Sequence, residues 1–137
     1  MQFNIHKEGW PYFILFSIIS IIFLPFFPII GILLILLTIY IFYFFRDPIR
    51  IIPDEDVVVS PADGIITFVG LSNAPKELNI KEKFLKIIIF LSIFNVHVNR
   101  IPVSGKINII QYIEGKFLNA SLDKSSDKNE RNIILIE

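Results

Sequence analysis

Between Pro11 and Phe45 the chain reads PYFILFSIISIIFLPFFPIIGILLILLTIYIFYFF, 35 residues without a charge. Ser17, Ser20 and Thr38 are its small hydroxyl residues. One membrane helix needs about 20 apolar residues, so the run is too long for one span and short for two full ones. Pro25-Phe26-Phe27-Pro28, followed by Gly31, divides it. Two prolines three apart break a helix and mark a turn. The halves Tyr12–Leu24 and Ile29–Phe45 therefore predict a helical hairpin, spanning the membrane or re-entrant. Lys7 lies before it and Arg46 and Arg50 after it, which puts both ends on the cytoplasmic side. Trp10, Tyr12, Tyr40 and Tyr43 stand near the ends, where interfacial aromatics belong. A secretory signal would have a shorter apolar core and a small-residue cleavage site. A buried core hairpin would need a large surrounding domain, and about 90 residues remain.

Outward from this run the composition changes. The chain has 137 residues, 53% hydrophobic and 19% charged, with 13 basic and 13 acidic residues and no cysteine. Zero net charge gives no electrostatic case for nucleic acid. The missing cysteine excludes disulfides, thiolate zinc and a cysteine nucleophile. The expected organisation is a cytoplasmic stub at 1–10, the membrane hairpin at 11–45, and a β-rich catalytic portion at 46–137, incomplete at its C-terminus. Arg46-Asp47-Pro48 stops the helix. Strands are expected at Val57–Val59, Ile65–Val69, Phe84–Phe94 (continuing through Val96, Val98 and Ile101) and Lys106–Ile113. Asn73–Glu82 reads as a loop, Pro102–Gly105 as a turn, and Ser121–Lys128 as a short helix or loop. Asn132–Glu137 opens one more strand, with nothing later to pair with. The fold class is mixed α+β, a β-rich barrel or sandwich behind the hairpin.

Few residues invite chemistry. Asp63, in Ser60-Pro61-Ala62-Asp63-Gly64, sits where proline and glycine shape a sharp corner; the plain alternative is an Asp-Gly hairpin turn. His97 lies in Asn95-Val96-His97-Val98-Asn99-Arg100, and strand alternation would put Asn95, His97 and Asn99 on one polar face. Imidazole is suited to moving protons near neutral pH; the plain alternative is a half-buried structural histidine. His6 precedes the hairpin, which argues against a multi-histidine metal site. Arg100 and Arg131 could hold a phosphate or carboxylate, although the charged run around Asn129-Glu130-Arg131 also suits a solvated loop. No glycine-rich phosphate loop, Gly-x-Ser-x-Gly or activated lysine is present.

Taken in order, the hairpin, Tyr43–Pro48, Ser60–Gly64, Phe90–Pro102, Gly115–Ala120 and Asn129–Arg131 resemble the phosphatidylserine decarboxylase family in its short bacterial form. The resemblance implies a membrane-bound proenzyme in the bacterial inner membrane, with its soluble domain on the cytoplasmic face. A Gly-Ser bond is cut by its own serine, which becomes a covalent pyruvoyl cofactor. That carbonyl forms a Schiff base with the lipid head group and serves as electron sink for loss of CO2. Asp63 and His97 match the family's catalytic aspartate and histidine; Asn95, Arg100, Asn129 and Arg131 are candidates for substrate binding. Where long-form members carry a second histidine, this chain has Arg100. None of the six glycines is followed by serine. The chain is thus expected to be a truncated precursor, inactive alone, whose partners are the membrane, the phospholipid and a C-terminal pyruvoyl-bearing chain, with a homodimer as one option. A non-catalytic membrane-tethered scaffold, or a regulatory fragment pairing with a full-length enzyme, is the alternative.

Overall fold

Each helix of the hairpin carries a proline in its first turn, Pro11 or Pro28, where a fixed φ and a missing N–H fit. In the computed structural model, which describes residues 3–54, 57–119 and 128–137, α1 runs Trp10–Phe23 and α2 runs Pro28–Phe44. The tight turn between them is closed by Phe27 N–H donating to the Phe23 carbonyl at 2.7 Å. The expected hairpin is present, and Pro25 and Pro28 set its corner. The chain divides into two compact units.

The first unit comprises residues 1–54, 60–64 and 91–100. Its helices pack antiparallel. Ser20 faces Thr38 across the interface, their hydroxyls 3.4 Å apart and each donating to the carbonyl four residues earlier. These two polar residues are only 3% and 8% exposed, whereas Ile21, Phe26 and Ile29 are 72–75% exposed. Gly31 lies against the Leu24 backbone, where a Cβ would collide. The hairpin is therefore polar and small inside and apolar outside. Its helices have 14 and 17 residues, about 21 and 26 Å at the α-helical rise. Among the described residues no helix is long and apolar enough to cross a membrane, which needs about 30 Å. Of the two expected arrangements, spanning and re-entrant, the spanning one is corrected: the helices fall close to the expected halves, and neither is long enough.

Ahead of α1 lie a short strand and a turn. Strand β1 (Phe3–Ile5) pairs antiparallel with β2 (Arg46–Pro48), Ile5 opposite Arg46, and a 3-10 turn at Lys7–Gly9 leads into α1.

The second unit comprises residues 55–59, 65–90 and 101–137. Strands β3 (Ile65–Asn73) and β4 (Lys83–Phe90) form one antiparallel ribbon, with a bulge between Ile66 and Phe68. Strands β5 (Ile107–Ile113) and β6 (Arg131–Ile136) form another. Thus the final strand pairs backward with β5, and the described strands form separate two-stranded ribbons rather than a closed barrel or sandwich. Val57–Val59 is not a strand; Val59 N–H makes a single bond to the Pro102 carbonyl. The helix or loop expected around Ser121–Lys128 lies, through residue 127, outside the described residues. Among the described residues every buried one belongs to the first unit. Leu71, Leu85 and Ile110 stay well exposed, so the ribbons keep apolar surface that isolated two-stranded sheets cannot cover.

Arg131 pairs with Glu77. The Glu77 carboxyl is held below its ordinary value, first by a hydrogen bond from its own backbone and then by Arg131. The contact is therefore complete above the ordinary value of 4.5 and is lost as pH falls through the lowered one. An NMR titration of the Glu77 carboxyl should show this; an unshifted midpoint would refute the pairing. In the first unit, Gly31→Ala should destabilise the hairpin by about 1–3 kcal/mol through overpacking, measured by unfolding in detergent, while Ile32→Ala on the outer face should be near neutral.

Candidate functional site

The site grows from the C-terminal end of α2. Arg46 follows the helix and turns back on it, Nη1 donating to the Tyr43 carbonyl at 2.6 Å with the guanidinium 3.6 Å above the Tyr43 ring. A cation at a helix C-terminus satisfies a free carbonyl and complements the dipole. Its other arm, Nη2, donates to the Phe94 carbonyl at 2.8 Å, and Tyr40 Oη donates to the Ile93 carbonyl at 3.0 Å. These bonds dock residues 91–100 on the helix end, with Val96 only 4% exposed.

This segment is not the strand that alternation suggests. β4 ends at Phe90, and Ser92–Asn95 makes a turn. Ser92 N–H donates to Asn95 Oδ1 at 2.8 Å, and Asn95 N–H donates to the Ser92 carbonyl at 2.9 Å. Serine and asparagine side chains compete with a sheet ladder in this way. The shared polar face expected for Asn95, His97 and Asn99 therefore does not form. Asn95 braces the turn instead.

His97 is half-buried. Its ring stacks on Phe44, centroids 4.0 Å apart and planes at 24°. Nδ1 lies 3.0 Å from the Asn95 carbonyl. A carbonyl only accepts, so Nδ1 carries the hydrogen and the neutral ring keeps its lone pair on Nε2. Nε2 has no hydrogen-bond partner among the described residues. The His97 residue lines a cavity of about 210 Å³ together with Phe44, Phe45, Val98, Asn99 and His6.

Asp63 lies in the same unit but does not line that cavity. It pairs with Arg50. Its segment is tied to the histidine loop by Arg100 N–H donating to the Pro61 carbonyl at 2.8 Å. The corner is not the expected Asp-Gly hairpin, since no strand precedes it, and no glycine among the described residues has a positive φ. The Arg100 guanidinium pairs with Asp47 and donates to the Pro48 carbonyl at 3.0 Å. It thus already has an anionic partner, as does Arg131.

Asn129 and Arg131 belong to the second unit. They line an open pocket of about 400 Å³ with Tyr112 and Lys116. Asn129 is used by the backbone, its side-chain amide exchanging two 2.8 Å bonds with the Leu118 peptide groups. The Tyr112 hydroxyl is pushed up, first by a hydrogen bond to Glu130 and then by burial. The four expected substrate-binding residues thus fall into two groups, Asn95 and Arg100 in one unit and Asn129 and Arg131 in the other. The sequence reading missed Asp47, Arg50, Phe44 and His6. Nothing in spacing marks them, because strand pairing and helix packing make their contacts.

A protein-family model described as phosphatidylserine decarboxylase matches residues 37–137, which includes Asp63, His97 and the arginines. No solved structure matches the chain. Nitrogen-detected NMR should find neutral His97 with its proton on Nδ1; an Nε2-protonated ring would refute the tautomer derived from Asn95.

Proposed function

The chain belongs to the phosphatidylserine decarboxylase family, and on that premise we propose that it supplies the acid–base half of a pyruvoyl-dependent decarboxylase of membrane phospholipid. The observation that carries this is the His97 ring, oriented by the Asn95 carbonyl and Phe44, with Nε2 unpartnered among the described residues and the residue lining a cavity. A general base needs a positioned lone pair within reach of the proton it takes. His97 meets the first condition without help from a carboxylate. In this reading Nε2 takes the hydroxyl proton of the serine at a Gly-Ser bond during self-cleavage. Asp63 holds Arg50 and fixes the corner beside the histidine loop.

A carbonyl electron sink suits this donor set, since an imidazole in a cavity walled by Phe44 and Phe45 can hold or deliver a proton beside it. When bound, a pyruvoyl group supplies the carbonyl that accepts the electron pair released with CO2. His97 then holds the proton that replaces the carboxyl group. These 137 residues hold no Gly-Ser pair from which to make that group, so they are read as inactive alone. The exposed apolar faces of the β3–β4 and β5–β6 ribbons suit coverage by a C-terminal pyruvoyl-bearing chain.

The hairpin supports a re-entrant anchor. Large apolar residues outward with Ser20, Thr38 and Gly31 inward is how helices pack where lipid, not water, surrounds them. At about 21 and 26 Å the helices enter one leaflet and return, which keeps Lys7 and Arg50 on the same side. Positive charge at both ends makes that side cytoplasmic.

The 137-residue chain should release no CO2 from phosphatidylserine. Joined to a segment carrying the Gly-Ser bond, it should self-cleave. His97→Ala should slow that cleavage roughly 10²–10⁴-fold, the range for a lost general base. Asp63→Asn should also slow it. Cleavage at the parent rate in both variants would favour the scaffold reading. Accessibility labelling should find cysteines placed at Lys7 and Arg50 on one face of the membrane; opposite faces would refute the re-entrant anchor.

A further inference from the structure

The family match begins at Leu37 and leaves the N-terminal strand outside it. That strand carries one of the chain's two histidines, and the pair, 91 positions apart in sequence, lines a single cavity. We propose that His6 is a ligand-positioning residue of the His97 cavity, which receives an oxyanion, a phosphate or carboxylate group, between the two imidazoles. The identity of the molecule bearing that oxyanion rests on the proposed function above, which this inference deepens.

The placement of His6 is built, not incidental. Pairing of β1 with β2 sets Ile5 opposite Arg46, the residue that also docks the His97 loop. His6 N–H then donates to the Phe45 carbonyl at 2.9 Å. Behind it, buried Gly9 lets Phe45 approach so closely that a Cβ there would clash. His6 is thus fixed from its own backbone and from the turn that follows.

The chemistry of the cavity selects the ligand. His97 has committed Nδ1 to Asn95 and keeps Nε2. The His6 side chain has no hydrogen-bond partner among the described residues. The remaining lining is two phenyl rings, Val98 and Asn99, with no carboxylate. Imidazoles readily gain protons near neutral pH, and a protonated ring bonds an oxyanion more strongly where apolar walls exclude water. A cation would meet two rings that can charge and no compensating acid. At about 210 Å³ the space exceeds what a single water fills.

The test uses the 137-residue chain in neutral detergent micelles, with ¹⁵N-labelled histidine, at about pH 6 where imidazoles are partly protonated. Inorganic phosphate is the first probe. Both ring signals should move together along one saturating curve. His6→Gln should weaken phosphate binding about tenfold, the loss of one charge-assisted hydrogen bond. Lys7→Gln, a neighbouring exposed charge, should leave it unchanged. If His6→Gln disturbs the β1–β2 pairing, the parent's own His6 signal still decides. Movement of the His97 ring alone, of neither ring, or undiminished binding in a folded His6→Gln chain overturns the proposal. Two further probes assign the oxyanion: glycerophosphoethanolamine keeps only the phosphate, and free serine keeps only the carboxylate. Binding of either one supports the site and names its group; binding of neither overturns it. The two readings fail separately. Unchanged phosphate binding in His6→Gln, with self-cleavage lost in His97→Ala, removes His6 and leaves the decarboxylase reading. Self-cleavage at the parent rate in His97→Ala, with both rings binding phosphate, does the reverse.

Discussion

One guanidinium holds the candidate site together. Arg46 leaves α2, folds back on the Tyr43 carbonyl and ring, and reaches the Phe94 carbonyl with its other arm. The first contacts stop the helix and satisfy its end. The last fixes where residues 91–100 begin. Val96 is then buried against the unit, and the His97 ring is laid on Phe44. The same residue pairs with Ile5 through its backbone, so the N-terminal strand takes its register from it. A lysine here would keep the charge and lose the fork, which alone can serve two carbonyls in different directions.

Arg46 can do this because the hairpin behind it is rigid and inverted. In water, helices bury their large apolar residues and expose polar ones. Here Ser20 and Thr38 are inside, each satisfied by a carbonyl of its own helix, and isoleucine and phenylalanine are outside. Such a hairpin gains little from hydrophobic burial between its helices. Close approach at Gly31 and aromatic contacts such as Phe13 with Phe42 hold it. The stacked pair Tyr12 and Phe45 closes its base, beside the cavity that Phe45 also walls. The apolar exterior and the candidate site thus meet at one end of the helices, where a lipid head group would lie if the hairpin enters a leaflet.

Local signals were the legible part. Pro25 and Pro28 placed the helical corner, and runs of isoleucine placed β3, β4 and β5 within a few residues. Both helices fall within two residues of the expected halves, since the prolines mark the turn directly. The strand through His97 was misread because Val96 and Val98 alternate correctly, yet Ser92 and Asn95 bond each other before any sheet partner does. β6 was seen to begin, but its partner β5 was not, since pairing across a long connection leaves no mark in composition. His97 and Asp63 were visible as residue types and through family resemblance. His6 was not, because its relevance comes from strand pairing with Arg46, a contact across some 40 residues.

The orientation of His97 bears on what Asp63 does. A base held by a carboxylate is oriented and also made more basic, since the negative charge favours the protonated ring. A base held by a peptide carbonyl is oriented with little added charge. His97 has the second arrangement, with Asn95 as the orienting group. Asp63 meanwhile is matched by Arg50, and Asp47 by Arg100, so the two carboxylates beside the histidine loop are each balanced by an arginine. Neither carboxylate lines the cavity, which leaves its two imidazoles without an acidic partner among the described residues. A general base needs first a positioned lone pair, and the Asn95 carbonyl positions that of the His97 ring.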